Sequence, residues 1–351
     1  MSLSTPTPTP TSTRSRRRTP GPALAAVLAV GLLATGCGTV TPADAGGAED
    51  AADGDGASYP VTGTTCGREI SVPAAPQRVV SLHPSITELL IQLGVGDRVV
   101  AQAQDALGEP SPELAEQVDA IPSLSSDSPP DKETLVSQTP DLVLSGTEYE
   151  FNTEMGFAGY DDLADLGAVT YVATGGCADR RTAGTVEDAF ADVAFLGEVF
   201  GVEERAAELE EQARAALAEV AASFEGEAPV RAAQVYVEAG KVYAIGGAIE
   251  VDVLRLAGGE NVWDSGDGLF ADFFAAEVGP EAVLAEDPEA FVFAVNSPEH
   301  EQETIDYLTS TFPESRAVRD GRLVAVDNTF IQPGTLAAVE GVRDVAAGLH
   351  P

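Results

Sequence analysis

The chain has 351 residues and a formal net charge of −38, from 57 acidic against 19 basic side chains. That sign excludes nucleic acid as a partner, because two polyanions repel. Arginine outnumbers lysine 17 to 2 and the acids are spread along the chain, a pattern that fits a solvating, salt-adapted surface better than one cation-attracting site.

Four arginines stand between Arg14 and Arg18, and an apolar run follows from Pro22 to Ala34. The run is shorter than the roughly 20 residues a bilayer span needs and fits a secretory signal peptide with a basic start. It ends Leu33-Ala34-Thr35-Gly36-Cys37, small residues and then cysteine, which resembles a bacterial lipobox. Residues 1–36 are then a lipoprotein signal peptide, with Cys37 as the lipidated mature N-terminus. The expected location is the extracytoplasmic face of the cell membrane. An ordinary secretory signal with a chance cysteine is the alternative. Losing the four arginines leaves the mature chain at −42. Residues 37–58 are acidic, small and aperiodic and read as a disordered tether, with a reach of roughly 25 Å. With Cys37 lipidated, Cys66 and Cys177 remain as a pair outside the cytoplasm, where disulfides persist. Two free thiols are the other possibility.

The first lobe, 59–184, opens with a β-branched strand over Arg78–Leu82. The turn His83-Pro84-Ser85 places Ser85 to cap a helix over Ile86–Leu93, with Glu88 three residues on as in a capping box. Gly94 ends that helix and Arg98–Ala101 is the next strand, completing a βαβ unit and implying a parallel sheet. Leu142–Leu144 and Val169–Val172 continue it. From Thr185 the spacing turns helical through Val186, Phe190, Val193, Leu196 and Phe200, and Gly201-Val202 reads as a glycine cap. Glu203–Phe224 is a second run of strong helix formers, about 30 Å long. Residues 185–228 therefore form a helical connection with one rigid interlobe helix. The second lobe, 229–351, begins with a strand over Arg231–Val237 and ends near the strand Leu323–Val326.

One pattern occurs twice, 148 positions apart. Glu133 and Glu281 each open a short helical run, a proline follows seven residues later at Pro140 and Pro288, and a buried-type strand follows the proline. The residue before each proline is expected to be extended. Two lobes on one plan, each presenting one glutamate, fit a two-fold partner.

Six motifs in order carry a resemblance that spans about residues 60–351. They are Pro76–Leu90 with Leu93-Gly94, Pro140-Asp-Leu-Val143, Leu196–Gly201 with its following helix, Ala257–Val262, Phe312-Pro313, and Ala317-Val-Arg with Gly321–Val324. The chain resembles the class III solute-binding proteins, which serve ABC importers of ferric siderophores, haem and cobalamin. The resemblance implies two Rossmann-like α/β lobes with central parallel sheets, joined by a long rigid helix, with cargo held between them. It also implies that Glu133 and Glu281 meet arginines of a dimeric permease.

Ligands of open parallel sheets sit beyond the carboxyl ends of the strands. The candidates are His83, Ser85, Gly146, Glu148 and Tyr149 in lobe one, and Tyr243, Trp263, Phe270, Asn296, Phe330 and Gln332 in lobe two. Aromatic faces suit a flat chelate or macrocycle, and Trp263, the one tryptophan, leads them. Arg180 and Arg181 are placed to hold an anionic group. Only three histidines exist, none spaced as a pair, so a bare transition metal is not the expected ligand and no metal site or cofactor beyond the lipid is assigned. No nucleophile elbow, Walker loop, dinucleotide fingerprint or His-Glu-x-x-His motif is present. A secreted α/β hydrolase built on Ser81, His83 and Ser85 is the competing class, and an adhesive lipoprotein a third. The expectation is a monomeric, lipid-anchored receptor for a ferric siderophore, with cobalamin, haem or another cofactor as alternatives.

Overall fold

A computed structural model describes residues 58–351 apart from 109 and 272. The signal peptide, Cys37 and all but the last residue of the tether lie outside the described residues. Among the described residues no helix is long and apolar enough to cross a membrane.

An antiparallel hairpin, β1 (Val61–Thr65) and β2 (Arg68–Val72), precedes the first sheet. Its turn is tied to the segment after the sheet's last strand by the Cys66–Cys177 disulfide, with Cα atoms 5.0 Å apart. The cysteines therefore pair as bonded partners, not free thiols. Lobe one then runs β3 (Val79–Ser81), α1 (Pro84–Gln92), β4 (Val99–Gln102), α2 (Ala115–Asp119), α3 (Lys132–Ser137), β5 (Leu142–Ser145), α4 (Tyr160–Ala164) and β6 (Val169–Val172). The strand order is β4-β3-β5-β6, all parallel. β5 is buried at all four positions, as expected of a strand covered on both faces.

The connection is not one helix but an antiparallel pair, α5 (Val186–Phe200) and α6 (Glu203–Ser223). Gly201 turns the chain between them at φ 70°, the expected glycine cap. The N-terminal half of α5 packs Val186 and Phe190 into the core of lobe two, and its C-terminal half packs Val193, Leu196 and Phe200 into that of lobe one. α6 returns the other way, with Ala206 and Leu209 in the first core and Ala213 and Val220 in the second. Each leg is thus anchored at both ends, which stiffens the joint more than one helix would.

Lobe two comprises β7 (Val230–Glu238), β8 (Lys241–Ile245), α7 (Ala248–Leu256), β9 (Gly259–Asn261), β10 (Ala275–Val278), α8 (Pro280–Glu286), β11 (Ala290–Val295), α9 (Pro298–Thr311), α10 (Arg316–Arg319), β12 (Leu323–Asp327) and α11 (Ala338–Leu349). The α/β class holds, with one difference from a purely parallel sheet. β7, β11 and β12 are parallel, whereas β8 runs antiparallel between β7 and the edge strand β10, which returns to the direction of β7. The reversal is local: Ala239 and Gly240 take φ 50° and 73°, the left-handed pair that closes a two-residue hairpin.

The lobes meet where the segment after β12 lies against lobe one. Ser85 Oγ donates to the carbonyl of Thr329 at 3.2 Å. Gly334 sits at φ 81°, and a methyl group there would strike Ala173. Only glycine serves both demands.

Candidate functional site

The turn after β3 departs from the capping-box expectation. His83 is the N-cap of α1, its Nδ1 accepting the Ser85 N–H at 3.3 Å, because Pro84 takes the first helical position. That frees the Ser85 hydroxyl for Thr329. Glu88 does not close a box; its carboxylate accepts from the Ser111 N–H at 2.8 Å and the Ser111 hydroxyl at 2.6 Å. Burial, then the charge of Arg181, lowers the His83 pKa from 6.5 to about 4, so the imidazole is neutral. The Ser81 hydroxyl donates to the His83 carbonyl, not the ring. Neither serine hydroxyl faces the imidazole, so these three residues make no nucleophile and base.

A cavity of about 320 Å³ opens in lobe two at the ends of β7 and β11. Arg181, Tyr236, Tyr243, Phe273, Phe274, Asn328 and Gln332 line it, together with Gln234, Glu238 and Glu250. Tyr243 and Gln332, both expected in loops after strands, are among the lining residues, although Tyr243 stands in the middle of β8. Arg181 lies 4.8 Å above the Phe274 ring, a cation–π distance. Its neighbour Arg180 is engaged elsewhere, with Nη2 2.9 Å from Asp188.

The remaining expected ligand residues are dispersed. Trp263 and Phe270 are 7% and 3% exposed and belong to the core of lobe two, in one buried cluster with Val235 and Phe293. Asn296 lies in a separate pocket with His300, whose Nδ1 accepts its N–H at 3.3 Å. Phe330 lines a groove beside α1 and α6 instead of the cavity. Tyr149 is exposed and packs edge-on against Phe157. Glu148 holds the Ala178 N–H at 2.6 Å and the Tyr160 hydroxyl at 3.2 Å, a loop-fastening role. Gly146 sits across the lobe seam, close to the Pro333 carbonyl.

Glu250, Gln234, Phe273 and Phe274 were not singled out from the sequence. The available signal was the corner Gly246-Gly247-Ala248 between a strand and a helix, with two adjacent phenylalanines in the following loop. Gly247 packs so tightly on Thr182 that a side chain would meet its carbonyl, and Ala248 is held at φ 65°. The corner thereby fixes the start of α7 beneath Arg181.

Glu133 and Glu281 are both exposed in the first turns of α3 and α8. In each unit the residue two further on, Leu135 or Val283, is buried, and a parallel strand follows the proline beside the lobe's opening strand. The expected extended residue before the proline is not found. Thr139 and Asp287 take φ 47° and 40°, each donating its N–H to the helix three residues back. A left-handed residue ends each helix by turning its N–H back onto a free carbonyl of the last turn.

A curated relative, an uncharacterised ABC transporter substrate-binding lipoprotein, YvrC, of Bacillus subtilis, is 22% identical over 332 residues, covering 93% of this chain and 96% of its own. A periplasmic binding protein from Veillonella parvula superposes with a TM-score of 0.72 at 23% identity, over 82% of this chain and 97% of that one. An ABC-type Fe3+-hydroxamate transport system protein from Saccharomonospora viridis gives 0.68 at 26% identity, over 84% and 100%. A family model described as periplasmic binding protein matches residues 79–329, and with most of its length inside that match the chain belongs to this family of binding proteins, not enzymes.

Proposed function

We propose that the protein is the lipid-anchored, extracytoplasmic substrate-binding component of an ABC importer and that its cargo is a ferric siderophore. The observation that carries this is the cavity at the strand ends of lobe two. Its aromatic walls, Tyr236, Tyr243, Phe273 and Phe274, suit the body of a chelate, and Arg181 suits a chelate oxygen. The names of the Bacillus and Saccharomonospora relatives support the transporter role and the iron chelate respectively. The paired Glu133 and Glu281 units supply the handles for a dimeric permease.

Titration with ferric siderophores, cobalamin and haem, read by tryptophan fluorescence and thermal stabilisation, tests the reading. Trp263 is in the same core cluster as Val235, a cavity wall residue, and serves as the reporter. Saturable binding of a ferric siderophore is expected. Binding of cobalamin or haem alone overturns the cargo assignment.

A further inference from the structure

We infer that Glu250 selects the charge class of the cargo: the site takes a neutral or cationic hydroxamate-type ferric chelate bearing an ammonium or amide N–H, and rejects polyanionic catecholates. The inference rests on the reading of the lobe-two cavity as the cargo site.

Glu250 lies in the first turn of α7, lines the cavity and is 8% exposed. One of its carboxylate oxygens, Oε2, has no hydrogen-bond partner among the described residues. The side-chain oxygen of Gln234, a residue 2% exposed on the same wall, is equally without a partner. Buried oxygens left unpaired cost free energy, and on a cavity wall a ligand's donor groups would offset that cost. Both atoms are acceptors, so the partner must donate.

Arg181 does not already fill this role. Burial raises the Glu250 carboxyl pKa, and the charge of Arg181 opposes that shift without cancelling it. Yet the Nη1 of Arg181 is itself without a partner, and no ion pair joins the two among the described residues. Donor and acceptors therefore line one cavity without satisfying each other. A ligand presenting an oxygen to Arg181 and an N–H or ammonium to Glu250 would satisfy all three.

The balance of charge agrees. The cavity is lined by one cation, Arg181, against two carboxylates, Glu238 and Glu250. The mature chain, at −42 once the four signal arginines are lost, adds to the repulsion of an incoming trianion. A ferric tris-hydroxamate is neutral at its iron centre, so a pendant ammonium makes it a cation. A ferric tris-catecholate is a trianion, the wrong charge for a wall that carries Glu238 and Glu250.

Three iron-loaded probes test this on the full folded protein at neutral pH. They are ferrioxamine B, a tris-hydroxamate with one free ammonium; its N-acetylated derivative; and ferric enterobactin, a tris-catecholate. Ferrioxamine B is expected to bind about ten-fold more tightly than the acetylated form, with the catecholate weakest. In Glu250→Gln the preference should shrink to about two-fold through lost affinity for ferrioxamine B. Catecholate binding as tight as ferrioxamine B, or an unchanged preference in Glu250→Gln, overturns the inference. Should that variant lose its thermal transition, Arg181→Gln replaces it: it should weaken the acetylated form and widen the preference for the ammonium, and a narrowed preference counts against the inference. Tight catecholate binding would leave the siderophore reading standing and remove this one. Failure of every chelate, with cobalamin or haem bound instead or nothing bound, would remove both.

Discussion

Arg78 and Arg231, 153 positions apart, do the same work in different lobes. Arg78 Nη2 donates to the carbonyl of Gln138 at 2.6 Å, and Arg231 Nη1 to that of Glu286 at 3.3 Å. Those carbonyls lie five residues beyond Glu133 and Glu281. The arginines' own carbonyls accept from Asp141 and Glu289, each eight residues beyond the same glutamates, at 3.0 and 2.7 Å. A cation thus closes the carbonyl end of each helix whose first turn carries an exposed glutamate. The helix axis, and with it the aim of the glutamate, is held in the same way on both sides.

From this duplication we expect Glu133→Arg combined with Glu281→Arg to abolish uptake in cells while cargo affinity in solution stays within about two-fold. Both residues are exposed, so folding should change by less than about 0.5 kcal/mol. Uptake at the wild-type rate by the double variant would refute the docking role.

Much of this was legible from spacing. Glutamate, proline and strand recur at fixed intervals, and those intervals give the same backbone twice, so Glu133 and Glu281 could be paired without coordinates. The capping arginines escaped notice because Arg78 and Arg231 sit just before and just inside their strands, where an arginine is unremarkable. Trp263 misled because a Gly/Asp-rich loop says nothing about which way a ring turns. Glu250 was hidden for the opposite reason: on a short helix it resembles any solvated glutamate, and only the tertiary packing buries it. Lobe two looked parallel because β8 is a five-residue strand whose direction is set by a tight turn at Ala239-Gly240.

Two buried groups should give opposing pH dependences. The His83 pKa is lowered from 6.5 to about 4, so the unfolded chain binds the extra proton and stability is lost as pH falls through that window. Asp192 is pushed from 3.8 up to about 6, chiefly by burial, while Tyr171 and Thr174 hydroxyls donate to it at 2.6 Å. There the folded chain binds the extra proton, so this contribution falls as pH rises from about 4 to 6. Each is worth about 3 kcal/mol, and they nearly cancel in the wild type. Relative to wild type, His83→Asn should lose stability as pH rises from 4 to 6, and Asp192→Asn should gain it. Thermal denaturation across that range checks both signs.

The disulfide spans 111 residues of sequence and ties the β1–β2 turn to the end of the first sheet. Closing so long a loop in the unfolded chain is worth about 4–5 kcal/mol in the chain-entropy model. Cys66→Ser with Cys177→Ser should lower the unfolding free energy by about that amount. Denaturant titration measures it, and a loss below about 1 kcal/mol would show that the unfolded ensemble is already compact there.

The seam between the lobes should be sensitive to the addition of a single methyl group. Gly334 combines φ 81° with a close approach to Ala173 and Ile86 of lobe one. Gly334→Ala would strain the backbone and push the segment after β12 away from α1, stretching the Ser85–Thr329 hydrogen bond. The same segment supplies Asn328, Ile331 and Gln332 to the cavity wall. A loss of about 1–3 kcal/mol in stability is therefore expected together with weaker cargo binding. Gly321, at φ 69° with nothing within reach of an added methyl, provides the control. Its alanine variant should lose stability through backbone strain alone, with binding untouched. Equal losses of binding in both variants would mean that the seam does not position the cavity.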